Sequence, residues 1–184
     1  MAERWITWRG RHILVDDDGS IISKKKDSVE GFENSKVRDK DGNLMKVYHG
    51  TPKDFEDFDE RYIRERPDKI RGFYFTTENR KEGVAGYYAG DTGAIKEAYV
   101  NIERPLYLKT DEYQEKIGGI VKSGKIKEYD GIITINDRDW ERDYYNYKSN
   151  QLEKEVNKKG DIIEIIPFSK SQIKIINSEK RGRY

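Results

Sequence analysis

Short hydrophobic stretches with a period of two dominate the chain, and few segments show the period of a helix. Alternation and compact apolar runs predict strands at residues 44–48, 72–76, 98–102, 132–135, 161–168 and 172–176. Helices are expected at residues 78–88 and 111–121, and also in the polar and aromatic stretch 137–159. Many short strands with few helices indicate an α+β domain rather than a parallel sheet with alternating helices.

The two ends of the chain differ from its middle. Residues 4–15 resemble two short strands around a turn at Arg9 and Gly10, and charge clusters without periodicity follow up to Ser35. We therefore expect an arm or linker over residues 1–35, a domain over residues 36–176 and a basic tail over residues 177–184.

The amino-acid composition at first suggests a disordered chain. Charged residues make up 39% and hydrophobic ones 34% of the 184 residues, and the mean hydropathy is -1.02. Yet the net charge is only +1 and aromatic residues reach 12%, which disordered chains rarely combine. The length fits a single domain, so we expect one folded unit with a very polar surface.

Several classes of function are disfavoured by what the sequence lacks. Balanced charge argues against a dedicated nucleic-acid or membrane binder, and no secretory signal precedes Trp8, so we expect a cytoplasmic monomer. With no Cys and two His, thiolate chemistry is excluded and a metal site is not expected. Neither a P-loop nor a GxGxxG motif is present.

Glu164 is the most informative single residue. Alternation places Ile162, Glu164 and Ile166 on one face of a strand whose other face is also apolar. An unpaired carboxylate buried there costs several kcal/mol, so it must face a pocket, find a partner or have a raised pKa. The alternative is that the strand twists outward and the side chain is solvated.

Two other residue types are ambiguous by themselves. His49 ends a predicted strand before Gly50 and Thr51, where a histidine is often only a hydrogen-bonded turn residue. The numerous tyrosines of the middle region include some that simply fill the core with the hydroxyl at its edge.

The order of four motifs resembles the ADP-ribosyltransferases, in particular the diphtheria-toxin and PARP-like branch with its His, Tyr and Glu signature. The resemblance covers residues 45–176 and is greatest to the transferase domains of bacteriophage and polymorphic-toxin proteins. It implies two small, mainly antiparallel sheets that form an NAD cleft with flanking helices. The motifs are Tyr48-His-Gly-Thr51, Gly72-Phe-Tyr-Phe-Thr76, Ala85-Gly-Tyr-Tyr-Ala89, and Glu164-Ile-Ile-Pro-Phe168 with Gln172-Ile-Lys174.

The resemblance also implies a role for the residues at the start of the domain. His49 would bind a ribose hydroxyl of NAD, the backbone of Gly50 would pair with the nicotinamide carboxamide, and Thr51 would support the turn. Of the basic residues at 64, 66, 69 and 71, Arg71 is the candidate for the pyrophosphate, and the others are expected to be solvated: Arg64, Arg66 and Lys69.

The remaining roles concern the nicotinamide and the bond that breaks. Tyr74 and Tyr88 would stack on the nicotinamide ring, and Tyr87 competes with Tyr88 for that position. Glu164 would stabilise the oxocarbenium-like cation that forms when the nicotinamide–ribose bond breaks, as carboxylates do in glycosidases.

Two features depart from the family pattern. Ile162 stands where arginine-modifying relatives carry a second Glu or Gln, which disfavours protein arginine as the acceptor. The stretch between residues 137 and 160 is unusually long, and in this family the loop before the catalytic Glu recognises the target. Its aromatic residues would either form that surface or cover the sheet from a helix: Trp140, Tyr144, Tyr145 and Tyr147.

The resemblance implies an NAD-dependent mono-ADP-ribosyltransferase that releases nicotinamide and needs no metal. Its acceptor would be a host macromolecule, protein rather than nucleic acid, in the bacterial cytosol if a phage encodes this toxin or effector. Alternatives are an NAD glycohydrolase, a catalytically silent binding or structural phage module, and an RNA-cleaving toxin.

Overall fold

The computed structural model describes residues 4–8, 11–15, 18–19, 21–24, 29–63 and 68–182. Its strands are β1 (Arg4–Trp8), β2 (Arg11–Val15), β3 (Ile21–Lys24), β4 (Val47–Thr51), β5 (Ala94–Val100), β6 (Pro105–Lys109), β7 (Gly131–Ile135), β8 (Trp140–Asn146), β9 (Gln151–Asn157), β10 (Ile162–Pro167) and β11 (Ile173–Lys180). The helices are α1 (Gly86–Ala89) and α2 (Tyr113–Lys122). Short 3₁₀ turns cover Glu60–Tyr62, Glu78–Arg80, Thr110–Glu112, Lys125–Glu128 and Lys170–Gln172, and a π turn covers Lys81–Ala85.

Two three-stranded sheets form the body of the domain. The first has the order β11-β5-β4 and is antiparallel, and the second has the order β10-β7-β6, in which only β6 and β7 run parallel. The strands β1, β2 and β3 form a separate antiparallel sheet, and β8 pairs with β9 in a hairpin. The predicted α+β architecture with small, mainly antiparallel sheets and flanking helices is confirmed.

The alternation of apolar side chains explains how the two main sheets are stacked. The largest core cluster takes Val47 and Ala98 from the first sheet and Ile133 and Ile165 from the second, so it fills the space between them. The opposite face of the second sheet is covered by α2, where Ile117 packs in a cluster with β6, β7 and β10. Burying each such side chain contributes about 1.5–3 kcal/mol, so this stacking supplies much of the stability.

The opposite face of the first sheet is covered by the helical segment 78–89. Ala85 and Ala89 pack there against Tyr48 of β4 and Ile95 of β5. The predicted helix at residues 78–88 is therefore confirmed in position, although 3₁₀ and π turns precede its α-helical end. The helix predicted at residues 111–121 is confirmed as well, as the turn before α2 and α2 itself.

The helix expected over residues 137–159 is wrong, because this stretch forms the β8–β9 hairpin. Its buried face is polar, with Asn146, Glu155 and Asn157 almost fully covered. An alternation of buried polar and exposed residues carries no hydrophobic period, so the usual signal of a strand is missing.

The ends of the domain extend beyond the expected boundaries. Val29 and Phe32 already pack against Leu44 and Tyr99, and the Ser35 hydroxyl donates to the Val100 carbonyl over 2.8 Å. At the other end β11 continues to Lys180, so the expected tail begins inside a strand. Strands β1 and β2 lie where two strands were predicted, whereas Arg9 and Gly10 of the predicted turn lie outside the described residues.

The observed strands begin and end a few residues away from their predicted limits. β4 begins at Val47 rather than at residue 44, and β5 covers Ala94–Val100 rather than residues 98–102. β6 begins at Pro105. Proline is tolerated there because the first residue of a strand need not donate to the ladder.

Candidate active site

The segment 73–76 joins the two main sheets. The Phe75 and Ile165 backbones exchange hydrogen bonds of 2.9 and 3.0 Å, and the Thr76 and Tyr48 backbones exchange two of 2.9 Å. The segment thus has β10 on one side and β4 on the other. It brings the backbones of His49, Tyr74 and Glu164 each within one residue of these bridging pairs. The His49 ring faces Phe58 and Phe75 of the core cluster between the sheets, whereas the Tyr74 ring packs on the α2 side.

His49 is fixed by a hydrogen bond to the joining segment. Its Nδ1 lies 2.7 Å from the Tyr74 carbonyl oxygen. Because a carbonyl only accepts, Nδ1 carries a hydrogen, and a neutral ring then has an unprotonated Nε2 that accepts a hydrogen bond. The neutral ring therefore offers one defined acceptor, Nε2, and its role toward a ligand stays a prediction.

The surroundings of His49 keep its ring neutral. The ring centroid lies 5.1 Å from that of Phe58, 5.6 Å from Phe75 and 6.2 Å from Phe55. Burial lowers the pKa of His49 below its usual value of 6.5, and the positive charge of Lys96 lowers it further, against an opposing effect of the Tyr74 carbonyl. A neutral imidazole is therefore the form present at pH 7.

Lys96 is a functional-site neighbour that sequence reasoning missed. It lies on β5 with 2% of its surface exposed and pairs with Asp54 and the Phe55 carbonyl, while its ammonium lies 4.7 Å from the Phe55 ring centroid. Its third contact is the Ser178 hydroxyl at 2.9 Å. Lys96 thereby ties the loop after β4 to the sheet and holds Phe55 beside His49.

Gly50 and Thr51 have clear structural roles. A Cβ at position 50 would lie 1.8 Å from the Ala85 carbonyl oxygen, so the helical segment 78–89 needs a glycine there in order to pack on β4. The Thr51 hydroxyl donates to the Lys53 carbonyl over 2.7 Å, which stabilises the turn after β4. The missing side chain of Gly50 thus allows the Ala85 backbone to lie close to β4.

Glu164 is half-buried on β10, opposite Thr134 of β7. The Thr134 hydroxyl lies 3.4 Å from its Oε1. The expected sharing of one face by Ile162, Glu164 and Ile166 is wrong, because a bulge between Ile162 and Glu164 shifts the register. Ile162 consequently packs in the cluster between the sheets, whereas Ile166 packs on the side of α2.

Tyr74 lies on the same side of the joined sheet as Glu164. In the antiparallel register set by Phe75 and Ile165, Thr76 is opposite Glu164, and Tyr74 is two residues before Thr76. The Tyr74 ring packs against the α2-side cluster and is half-buried. The structure therefore brings this tyrosine and the carboxylate to one face.

The second stacking position lies on α1. Tyr87 and Tyr88 are exposed by 66% and 63%, and their ring centroids are 5.5 Å apart in an edge-to-face arrangement. Tyr88 stays our prediction, with Tyr87 as its competitor, because both rings are open to a ligand. Arg71 is exposed and also stays a prediction, while Arg64 and Arg66 lie outside the described residues.

The four aromatic residues expected to recognise the target separate into two pairs. The guanidinium groups of Arg80 and Arg142 lie 5.6 and 5.8 Å from the Trp140 ring centroid. The Tyr144 hydroxyl donates to Glu153 over 3.0 Å, and burial together with this carboxylate raises the pKa of Tyr144 to about 12. Both side chains therefore take part in holding the hairpin.

Tyr145 and Tyr147 form the second pair, on the exposed side of the hairpin. They are exposed by 44% and 36%, and their ring centroids are 5.1 Å apart, edge to face. Of the four aromatic positions, these two have a surface that a partner could contact.

A buried carboxylate on β9, Glu155, was not anticipated from the sequence. Its side chain is fully covered and accepts from Arg80 Nε over 2.7 Å and from Arg142 Nη2 over 2.8 Å. Asn157 donates to it over 2.7 Å. Burial raises the pKa of Glu155, but these hydrogen bonds outweigh burial and lower it. The polar alternation at residues 153, 155 and 157 is the signal that could have revealed this face.

Two features are absent from the described part of the chain. No group of three or more His, Asp or Glu side chains there could hold a metal ion. No helix in the same part of the chain is long and apolar enough to cross a membrane.

Comparison with known proteins links this geometry to a family. A family model described as ADP-ribosyltransferase in polyvalent proteins matches residues 39–182. That range contains both main sheets, the joining segment 73–76 and the hairpin. No curated protein and no solved structure matches the chain.

Proposed function

Because the chain belongs to the ADP-ribosyltransferases found in polyvalent proteins, we propose that it cleaves NAD and transfers one ADP-ribose unit to a host macromolecule. The observation that supports the proposal is the junction at residues 73–76, because the backbones of His49, Tyr74 and Glu164 adjoin it and His49 donates to the Tyr74 carbonyl. This family uses NAD as substrate, and the three residue types match its chemistry.

His49 binds the ribose next to nicotinamide in this proposal. Its Nε2 accepts a hydrogen bond from a ribose hydroxyl, since Nδ1 already donates to the Tyr74 carbonyl. The rings of Tyr74 and Tyr88 stack on the flat cationic nicotinamide, and the Gly50 backbone pairs with its carboxamide. Arg71 approaches the pyrophosphate from the surface.

Glu164 acts on the bond that breaks. When the bond between the ribose anomeric carbon and the nicotinamide nitrogen breaks, its electron pair neutralises the pyridinium, and positive charge develops on the ribose. The carboxylate stabilises that charge, as it does in glycoside hydrolysis. A nucleophile of the acceptor then bonds to the anomeric carbon and loses its proton.

The acceptor is a bacterial protein in this proposal, and the enzyme acts as a monomeric effector or toxin in the host cytosol. The exposed Tyr145 and Tyr147 pair supports a protein partner, because aromatic side chains are enriched in protein interfaces. The net charge of +1 offers little attraction to a nucleic-acid polyanion.

A labelling experiment tests the proposal. Wild-type protein is incubated with bacterial lysate and NAD labelled in its adenine moiety, and both nicotinamide release and labelled macromolecules are measured. Glu164→Gln should reduce both to a small residual level, whereas Glu112→Gln, which alters an exposed carboxylate paired with Lys116, should change neither.

The products distinguish the possible outcomes. Free ADP-ribose without a labelled macromolecule would show a glycohydrolase instead of a transferase. Absence of nicotinamide release by the wild type would contradict the proposal and leave a binding module. Equal release by Glu164→Gln would contradict the catalytic role proposed for that carboxylate.

A further inference from the structure

The bulge beside Glu164 exposes a backbone carbonyl to side-chain donors. Ile162 pairs with Ile135 and Glu164 pairs with Thr134, so Ile163 is an extra residue in β10. The Ile163 carbonyl oxygen accepts a hydrogen bond from Arg80 Nη1 at 3.1 Å and one from the Thr76 hydroxyl at 3.3 Å.

This carbonyl belongs to the peptide unit that contains the Glu164 nitrogen. A peptide unit is planar, so fixing its oxygen also fixes the nitrogen and Cα of Glu164, the atoms from which the side chain leaves the strand. A bulge re-aims the side chain beside it and increases the local twist. The donors on the Ile163 oxygen are therefore placed to control where the carboxylate points.

Arg80 is itself rigidly held. Its Nε donates to Glu155 Oε1 over 2.7 Å, and its guanidinium lies 5.6 Å from the Trp140 ring centroid. Only 15% of the Arg80 side chain and none of the Glu155 side chain is exposed. A charged hydrogen bond that is shielded from water in this way holds its geometry more firmly than one at the surface.

We infer that Arg80 is a positioning residue: held by Glu155 of the hairpin, it fixes the bulged Ile163 carbonyl and thereby the orientation of the Glu164 carboxylate. The inference rests on the proposed function, because it assigns Glu164 the catalytic role. It also explains why a hairpin with an exposed outer face carries a buried acid on its inner face.

Arg142 provides a matched control. It donates to the other oxygen of Glu155, Oε2, and lies 5.8 Å from the same Trp140 ring centroid, but its contacts are to Glu155 and the Gly83 carbonyl and not to Ile163. Loss of Arg142 therefore weakens the same buried cluster and leaves the contact between Arg80 and Ile163 in place.

The test is steady-state kinetics of nicotinamide release by the full chain, below the melting temperature of every variant. Arg80→Met should lower kcat roughly 10- to 100-fold, because a displacement of about 1 Å at a catalytic group can cost this much. The KM for NAD should stay within about 2-fold. Arg142→Met should keep kcat within about 3-fold of wild type even where its melting temperature falls.

A double variant separates positioning from a general structural effect. In a Glu164→Gln background, Arg80→Met should cause no further loss of the residual rate, because there is no carboxylate left to orient. Arg80→Lys, which can reach only one of the two partners, should fall between wild type and Arg80→Met.

Three results would overturn the inference. An increase in KM with kcat unchanged would show that Arg80 binds NAD directly, and equal losses of kcat in Arg80→Met and Arg142→Met would show a structural role alone. Additive losses in the double variant would also contradict positioning. A wild-type protein that releases no nicotinamide would instead refute the proposed function itself, and the inference with it.

Discussion

His49 combines three features that decide its chemistry: burial among phenylalanines, a nearby Lys96 and a hydrogen bond to the Tyr74 carbonyl. The first two disfavour a charged ring, and the third selects which nitrogen carries the hydrogen. Together they leave Nε2 as an acceptor at physiological pH. A protonated ring would present a donor there instead, and the acceptor function would be lost.

The pH dependence of the reaction follows from this. Because the pKa of His49 is lowered from 6.5, kcat/KM for NAD should be insensitive to this residue above pH 6.5 and should fall once the pH drops through the lowered pKa. The free energy of unfolding should also fall as the pH falls, because the unfolded chain binds the proton at a higher pH than the folded chain does. Kinetics and an NMR titration of the His49 ring test this, with His12→Gln to assign the resonances. A titration midpoint above 6.5 would contradict it.

Gly50 gives a second prediction at the scale of one residue. The Cβ of Gly50→Ala would clash with the Ala85 carbonyl, a backbone atom that cannot turn away. We expect a loss of about 3 kcal/mol in the free energy of unfolding, near the upper range for overpacking. Urea denaturation measures this loss.

A second glycine is the control for that measurement. Gly119 lies within α2 with no atom inside 4 Å of the Cβ position. Gly119→Ala should therefore stabilise the protein by about 0.5–1 kcal/mol. Equal effects of the two substitutions would mean that the contact between the helical segment 78–89 and β4 is not as close as described.

Among the elements, the β8–β9 hairpin depends on a buried carboxylate rather than on apolar packing. Glu155 has its pKa lowered by its donors in spite of burial. The stability that it contributes is present above the unfolded pKa of about 4.3 and is lost as the pH falls through the lowered folded value. The hairpin should therefore be the part of the domain that opens first in acid.

Glu155→Gln tests the hairpin's dependence on this charge. Leaving Arg80 and Arg142 without their common carboxylate should cost about 3–5 kcal/mol in the free energy of unfolding. The difference from wild type should shrink as the pH falls below 4. Glu141→Gln, in an exposed pair with Lys154 on the same hairpin, should have a far smaller effect. Equal effects at both positions would show that Glu155 is not buried as a charge.

The elements also show why some of the fold could be predicted and some could not. The strands around Ile133 and Ile165 and the helix α2 have apolar patterns of the right period, and the sequence order of the motifs led to His49, Tyr74 and Glu164. The inner face of the hairpin is held by the ion pairs of Glu155, and Lys96 can be buried because it forms an ion pair with Asp54. Hydrophobic periodicity cannot reveal buried charged residues of this kind. It also cannot reveal the one-residue bulge at Ile163, which breaks the alternation used to predict which side chains share a face of the strand.

For the whole molecule, the joining segment 73–76 is the link between the two main sheets. Both sheets are hydrogen-bonded to this segment, which contains Tyr74, and the backbones of His49 and Glu164 each lie next to one of its bridging pairs. The hairpin lies on the helical segment 78–89, linked to it through Glu155 and Arg80, with Tyr145 and Tyr147 on its outer side. The residues proposed for NAD cleavage and those proposed for acceptor recognition therefore lie on different elements, so substitutions can separate their effects.

The joint substitution Tyr145→Ser with Tyr147→Ser tests that separation. Labelling of the host acceptor should fall at least about 10-fold, because exposed aromatic residues often dominate interface affinity. Nicotinamide release without acceptor should stay within about 2-fold of wild type, since neither ring contacts the junction of the sheets. Tyr107→Ser, at another exposed tyrosine on β6, should leave both readouts unchanged. Unchanged labelling in the double variant would exclude the outer side of the hairpin as the acceptor surface, and a parallel loss of nicotinamide release would show that the two surfaces are not independent.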